Sequence, residues 1–484
     1  MGRAAAREGV TVKQATGMDV MFLCGETPSW HMHVCGLLVL DPSTAPGGFD
    51  AARLRELLVA RVAMAPQLGW KLREAPLGVD RPVFVEDPRF DPADHFHHVD
   101  LPAPGGRREL AAVVGDIAGR KLDRARPLWE IWIVEGLDRG RVGVVTKIHH
   151  SIIDGASGVD LAVLLMDASP EPRPVGSQAS APVGPAPSSL ALVGRGAVSA
   201  LTAPVRMARY GEQVARQAVV LGRSLLGHTS AGLPFQAPPT SFNHRLTAHR
   251  SFAFADVGLA DVVRVKDAFG VTMNDVALAL VAGTLRRYLG TRGAVPDRPL
   301  IAQVPVSLRS DVNRAEIGTR VGTMFASLAT HVDDPVERLV AIHRSTEAAK
   351  ELRRRISTGH DVSLADALPP PLVRMFAATY SGLGLEEWVP PIFNLIVSTI
   401  RGPAADLSMG GARVLGAYPL GPLIYGSGLN VTACSLGGNM HFGFVACAEH
   451  VPDPWSIADG VAPALEELVL AAGAPAGGTR EDGP

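Results

Sequence analysis

The sequence predicts a mixed α/β protein built as two domains side by side. Three observations carry this. The chain has 484 residues, more than one core usually organises. Helical and strand-like segments alternate on both sides of a central stretch. That stretch holds Pro170, Pro172, Pro174, Pro182, Pro185 and Pro187 among Gly, Ser and Ala, a composition that favours extended, poorly packed chain. The predicted boundaries are an N-terminal domain over 1–169, a proline-rich linker and amphipathic crossover helix over 170–240, a C-terminal domain over 241–472, and a disordered tail over 473–484.

In chain order, Asp50 to Ala65 has helical spacing and stops before Pro66, and Arg107 to Leu122 repeats the pattern. Trp129–Val134 and Val142–His150 read as strands, and Gly155–Asp167 as a helix. Past the linker, Asp256–Phe269 reads as a helix closed by Gly270, followed by a helix from Asn274 to Leu289. Strands are expected at Leu300–Val306, Val321–Thr330, Phe393–Ile400, Leu429–Cys434 and His441–Cys447. In the crossover helix, Met207, Tyr210, Val214, Ala218, Leu221 and Leu225 form one stripe at steps of three and four. Arg206, Arg209, Arg216 and Arg223 fall opposite. Two readings stay open: a helix packed on a domain with a solvated basic face, or a contact with an anionic lipid surface.

Composition narrows the function classes. Lys plus Arg is 46 and Asp plus Glu is 48, a net charge of −2, which leaves no electrostatic footprint for nucleic acid. Cys24, Cys35, Cys434 and Cys447 form no Cys-x-x-Cys pair, and so few in a long chain fit a reducing compartment. The N-terminus shows no apolar targeting segment. The longest apolar stretches, Val34–Leu40 and Val276–Ala282, fall far short of the ~18 residues that span a bilayer. The expectation is a cytoplasmic protein, with any membrane or lipid-inclusion contact peripheral. His31 with His33, and His95 with His97 and His98, lack a second cluster at matching spacing, so no metal is expected.

The run His149-His150-Ser151-Ile152-Ile153-Asp154-Gly155 carries the chemistry. On a strand, alternate side chains point to opposite faces. His150 then shares a face with Val142, Val144, Thr146 and Ile148, and His149 points away. Both cannot serve one reacting atom, so one is the base and the other supports structure. Neutral imidazole is suited to taking a hydroxyl proton near neutral pH. Gly155 permits a close backbone approach. Ser151 reads as local structure, and no Gly-x-Ser-x-Gly elbow marks a serine nucleophile.

This run resembles the HHxxxDG motif of the CoA-dependent acyltransferase superfamily, which includes chloramphenicol acetyltransferase and peptide-synthetase condensation domains. Further segments resemble the bacterial wax ester synthase / diacylglycerol acyltransferase family: Met18-Asp19-Val20-Met21-Phe22-Leu23, Gly25-Glu26-Thr27, Met32-His33-Val34, Pro127-Leu128-Trp129-Glu130, Asn274-Asp275 and Pro305-Val306-Ser307-Leu308-Arg309. They run in that family's order from about Met18 to Asp459. The resemblance implies two chloramphenicol-acetyltransferase-like domains with a substrate tunnel between them. It implies His150 as general base, a mainly structural Asp154 paired with an arginine, and Asn274, Ser307 and Arg309 reaching the site from the second domain. It also implies direct transfer of a long-chain acyl group from acyl-CoA, a substrate rather than a cofactor, to a lipid alcohol. Diacylglycerol is the first choice of acceptor and a fatty alcohol the alternative. No carrier protein is present in the chain. Departures from the family pattern at Thr399, Thr323, Leu436 and Cys447 bear on acceptor choice and catalytic vigour, and keep open a catalytically weak lipid-binding member of the same fold.

Overall fold

The computed structural model describes residues 13–152, 164–174, 187–226, 230–307, 321–356, 364–384 and 389–473. Its first half runs β1 (Lys13–Gln14), α1 (Gly17–Gly25), β2 (His33–Asp41), α2 (Ala51–Val62), β3 (Trp70–Arg73), β4 (Val83–Glu86), β5 (Phe96–Asp100), α3 (Arg107–Gly119), β6 (Trp129–Glu135) and β7 (Val142–His149). The crossover helix α4 (Ser189–Leu226) leads to β8 (Arg250–Gly258), α5 (Leu259–Phe269), α6 (Met273–Gly290), β9 (Ile301–Ser307) and β10 (Val321–Ser327). Then come α7 (Pro335–Ile356), α8 (Leu364–Ala367), α9 (Pro370–Gly382), β11 (Leu395–Arg401), β12 (Ser408–Met409), β13 (Ala412–Leu420), β14 (Leu429–Leu436) and β15 (Asn439–Cys447). The last helices are α10 (Trp455–Ala458) and α11 (Val461–Gly473).

Two six-stranded sheets form the frame, ordered β12-β13-β2-β7-β6-β5 and β10-β9-β11-β14-β15-β8, with a small sheet β1-β4-β3 beside them. β7 is the strand that delivers the histidines, and it is buried along almost its whole length. Val142, Val144 and Ile148 pack into a core with α1 and α2. Val145 faces the other way, into a core shared by α3 and the second sheet. The sheet is covered on both faces, so its central strand is an apolar run interrupted only by Thr146, Lys147 and His149.

β12 and β13 lie within the 241–472 stretch, yet they hydrogen-bond into the first sheet, with Leu420 opposite Cys35 and Arg413 opposite Asp41. The two halves are therefore laced by a strand that crosses between them. Most expected elements form within a few residues of their predicted limits. Asp256–Phe269 is corrected: residues up to Gly258 extend β8 by pairing with β15, and the helix begins only at Leu259. Gly270 closes that helix in a left-handed conformation, φ 65°. The expected helix Gly155–Asp167 lies mostly outside the described residues, and Asp167 exchanges two backbone hydrogen bonds with Ser408 instead. β8, β13, α7 and α9 had no counterpart in the sequence reading. The tail 474–484 also lies outside the described residues.

Of the two readings left open for the crossover helix, packing through the apolar stripe is not the one observed. Leu192, Gly196, Ala203 and Gln213 are buried, whereas Met207 and Val214 are exposed. Arg206 is turned in, donating to Asp366 O at 3.0 Å and Ser199 O at 3.0 Å. The neighbouring surface offers carbonyl oxygens, which an arginine satisfies and a methionine does not. Leu190, Leu201, Val205 and Val219 are left pointing outward.

One buried ion pair fastens the start of the linker. Arg61 Nη2 reaches both Asp167 oxygens at 2.8 and 2.7 Å, and its Nη1 donates to Leu165 O at 2.8 Å. Arg173 Nε adds a bond to Asp167 at 3.0 Å. Removing one partner of such a pair strands a buried charge. Asp167→Ala is expected to lower unfolding free energy by about 3–5 kcal/mol in urea titration. An unchanged midpoint would show that the clamp contributes nothing.

Candidate active site

The end of β7 is pinned from two sides. His149 N–H donates to Leu128 O at 2.9 Å, and His150 N–H donates to Met32 O at 2.8 Å. Trp129, next to Leu128, is almost fully buried; its indole donates to Leu68 O at 2.7 Å and its ring stacks on His95 at 4.5 Å. The segment that presents Leu128 O is thus itself anchored.

His149 is 1% exposed, and its two ring nitrogens face Ser151 and Glu26. Ser151 N–H donates to Nδ1 at 3.1 Å, and Ser151 Oγ lies 2.7 Å from the same atom. An amide N–H only donates, so Nδ1 is the acceptor and the ring hydrogen sits on Nε2. That Nε2 faces Glu26 Oε1 at 3.3 Å. Serine, histidine and carboxylate in this order have the connectivity of a hydrolytic triad. Ser151, however, is 3% exposed, and its own amide shares the lone pair that would have to take its proton. The arrangement is a brace.

Glu26 belongs to the family-like run Gly25-Glu26-Thr27, in which no local pattern marks its role. It accepts Met32 N–H at 3.1 Å and Arg124 Nη2 at 2.9 Å, and Lys121 Nζ stands 3.4 Å away. Burial pushes its carboxyl upward, but the hydrogen bond from His149, the Met32 amide and the charge of Lys121 outweigh it and hold the group well below the usual carboxylate range. No local signal links Glu26 to His149, because the pair meets only when β2 docks beside β7.

His150 lies half-buried at the turn beyond the strand, its ring tilted against Phe22 with centroids 4.6 Å apart. Phe22 sits on α1, started by a reciprocal cap: Thr16 N–H to Asp19 at 2.8 Å and Asp19 N–H to Thr16 Oγ1 at 3.2 Å. The two histidines therefore have different surroundings, His149 buried beside Glu26 and Ser151 and His150 half-buried against Phe22.

The remaining expected residues are placed unevenly. Asp154, Gly155 and Arg309 lie outside the described residues. Ser307 ends β9, paired in register with Val321. Asn274 opens α6, and its Oδ1 accepts Thr399 Oγ1 at 2.7 Å rather than meeting the histidine pair. Its neighbour Asp275, fully buried, caps α6 through Thr272 and accepts His343 Nδ1 at 2.8 Å and Thr346 Oγ1 at 2.6 Å. Departures from the family pattern also have local partners: Thr323 Oγ1 accepts Gln303 at 3.4 Å, and the buried Cys447 Sγ receives Thr247 N–H at 3.4 Å. Among the described residues, no group of three or more His, Cys, Asp or Glu could hold a metal ion.

A carboxyl depressed in the folded state stabilises it at all pH above the unfolded value near 4.3, and that contribution fades as pH falls toward the folded value. Urea midpoints of the wild type should therefore drop more steeply than those of Glu26→Gln between about pH 5 and about pH 3. Parallel curves would remove Glu26 as a source of this stability.

The profile of the wax ester synthase/diacylglycerol acyltransferase catalytic domain matches residues 16–277, and that of the WS/DGAT C-terminal domain matches 317–469. A Mycobacterium tuberculosis protein named as a diacylglycerol O-acyltransferase is 39% identical over 474 residues, 95% of this chain and 90% of that protein. The wax ester synthase/diacylglycerol acyltransferase from Marinobacter aquaeolei VT8 superposes with a TM-score of 0.70 at 28% identity, covering 96% of this chain and all of that one. The first condensation domain of the calcium-dependent antibiotic synthetase shares the fold at a TM-score of 0.55 and 18% identity, covering 98% of each chain. The catalytic and C-terminal profiles together span most of the sequence, in order, around the pinned histidine pair, and the chain belongs to the wax ester synthase/diacylglycerol acyltransferase family.

Proposed function

We propose that this chain moves a long-chain acyl group from acyl-CoA to a lipid alcohol, diacylglycerol first, with His150 as general base. One observation carries the assignment of the base. His149 is buried, with Nδ1 bonded to Ser151 and Nε2 facing Glu26, so the half-buried imidazole next to it is the one of the pair with access to a substrate. His150 takes the hydroxyl proton as the oxygen attacks the thioester carbonyl. The C–S bond then breaks, and the thiolate receives a proton from the imidazolium. The oxyanion needs donors, for which Asn274, Ser307 and backbone N–H groups near Gly155 are the proposed sources. The relatives named as diacylglycerol O-acyltransferases support diacylglycerol as acceptor. The double name of the Marinobacter protein supports a fatty alcohol as the second acceptor. Asp154 is proposed as a structural carboxylate and Arg309 as a substrate contact.

Thiol release from a long-chain acyl-CoA, with and without diacylglycerol or a fatty alcohol, tests the reading. A folded His150→Ala protein should lose about 10²-fold or more. Retention of more than about a tenth of the activity would exclude a base of that strength.

We also place the working protein at a cytoplasmic lipid surface, as a peripheral partner. Among the described residues no single helix is long and apolar enough to cross a membrane. The outward face of α4 presents Leu201, Val205 and Val219 with Arg209, Arg216 and Arg223 also exposed. α9, which packs on α1, adds the exposed Met375 and Phe376. Burying each such side chain contributes roughly 1.5–3 kcal/mol. Leu201→Asp with Val205→Asp and Met375→Asp should therefore abolish liposome co-sedimentation that survives high salt. Equal binding by wild type and variant would mean this face is merely solvated.

A further inference from the structure

The turn between α1 and β2 carries both holders of the histidine pair. Glu26 faces His149, and Met32 O takes the N–H of His150. Between them the chain closes on itself. Thr27 N–H donates to Trp30 O at 3.0 Å, and the Thr27 hydroxyl accepts the amides of Ser29 at 3.3 Å and Trp30 at 3.1 Å. A hydroxyl at the head of a turn gathers backbone amides in this way. These bonds give the turn its shape but not its place. Pairing of β2 with β7 fixes the chain only from His33 onward.

The outer holds come from the second half. The Trp30 indole N–H donates to Leu423 O at 2.6 Å, and its ring lies against Tyr425 with centroids 4.5 Å apart. The Tyr425 hydroxyl donates to Thr27 Oγ1 at 3.0 Å, the same atom that gathers the amides of the turn. Arg250 Nη2 donates to Ser29 O at 2.6 Å, while its Nη1 stays on its own segment at His249 O, 3.1 Å away. A side-chain carbon at Gly25 would overlap the Trp30 ring, so the indole also covers the end of α1, the helix that bears Phe22.

These anchors move with the second half. Leu423 and Tyr425 lie on the segment that runs from β13, a strand of the first sheet, to β14 of the second. That segment is tied down next to them: Asn243 Nδ2 donates to Gly426 O at 2.8 Å, Ser427 Oγ to Asn394 O at 3.0 Å, and Gly428 N–H to Phe242 O at 2.7 Å. Arg250 opens β8, in register with Cys447 on β15. Its backbone is held on the other side by α3, where a Cβ at Gly115 would lie 2.6 Å from Arg250 O, beside a cleft of about 560 Å³ between α3 and β8. The turn thus has the histidine pair on one side and the second half on the other.

We propose that Trp30 and Tyr425 are positioning residues of the transfer reaction, holding the 26–32 turn so that Met32 O and Glu26 keep His150 in place, an inference that rests on His150 as the base. A base acts only within hydrogen-bond reach of the proton it takes, and a misplacement of about 1 Å can cost about 10²-fold. Releasing the turn shifts Met32 O and Glu26 together. That moves the His150 backbone while leaving every group that meets substrate present. The base is therefore in position only while the second half is docked on the turn.

Tyr425→Phe and Trp30→Phe each remove one outer hydrogen bond and keep an aromatic ring. Thiol release from palmitoyl-CoA in the presence of diacylglycerol should show kcat lowered about three- to tenfold in each, with the KM for palmitoyl-CoA and the melting temperature nearly unchanged. Thr27→Val removes the acceptor of the Tyr425 bond, so adding Tyr425→Phe to it should lower kcat no further. Full kcat in both single variants overturns the proposal, and so does a lowered melting temperature with kcat intact, which would leave these contacts a structural role alone. An additive double variant also overturns it, because the Tyr425 effect would then bypass the turn. His150→Ala separates this proposal from the assignment of the base. An inactive His150→Ala beside fully active Tyr425→Phe and Trp30→Phe removes the positioning role alone, whereas an active His150→Ala removes the base and with it the group being positioned.

Discussion

Everything about this site depends on holding two consecutive peptide N–H groups at the end of β7. Leu128 O takes the one from His149 and Met32 O the one from His150. These acceptors come from different neighbours of β7, the segment entering β6 and the segment entering β2. The strand end is therefore gripped across the sheet in both directions. Two backbone bonds are modest contributors to stability, of order 1 kcal/mol each. Their larger consequence is geometric, because a pinned backbone sends successive side chains to opposite sides and gives the two imidazoles different surroundings.

Family motifs that look unrelated along the chain become parts of that grip. Met32 and Leu128 supply the two carbonyls, and Trp129 anchors Leu128 through its indole bond to Leu68. Glu26 closes on His149 and is in turn tied to Arg124, just beyond α3. Asp19 caps α1 and so holds Phe22 against His150. The Asp275 network does comparable work in the second half, joining α6 to α7 through His343 and Thr346. Most of these motif residues are short of solvent and hydrogen-bonded, as supports of a reacting group are expected to be.

The second half is joined to the first by more than surface contact. β13 is a strand of the first sheet although it follows β11 of the second, and Tyr418 on it reaches Asp256 on β8 at 3.1 Å. Burial, with Asp256 beside it, pushes the Tyr418 hydroxyl well above its ordinary pKa, so it stays a neutral donor in this seam. A cleft bounded by α3 and β8 keeps its shape only if the halves keep their relation. The crossing strand and the glycine-faced contact of α3 on β8 provide that.

Much of this architecture is legible in the sequence. Alternation along Val142–His150 already separates His149 from His150, because strand geometry depends only on the parity of residue number. The proline-rich stretch marks the crossover, Pro66 marks the end of α2 and Gly270 the end of α5, since these signals are local. What needed the tertiary structure was every relation between distant segments. Glu26 as the partner of His149 and β13 as a strand of the first sheet are relations of this kind, as is the encounter of Arg250 with α3. The inward face of α4 is not legible for the same reason: an apolar stripe defines a helix, but the carbonyl oxygens offered by its neighbours decide that Arg206 turns in and Leu201 turns out. Local pattern sets which residues form an element, and only docking sets which of its atoms find partners.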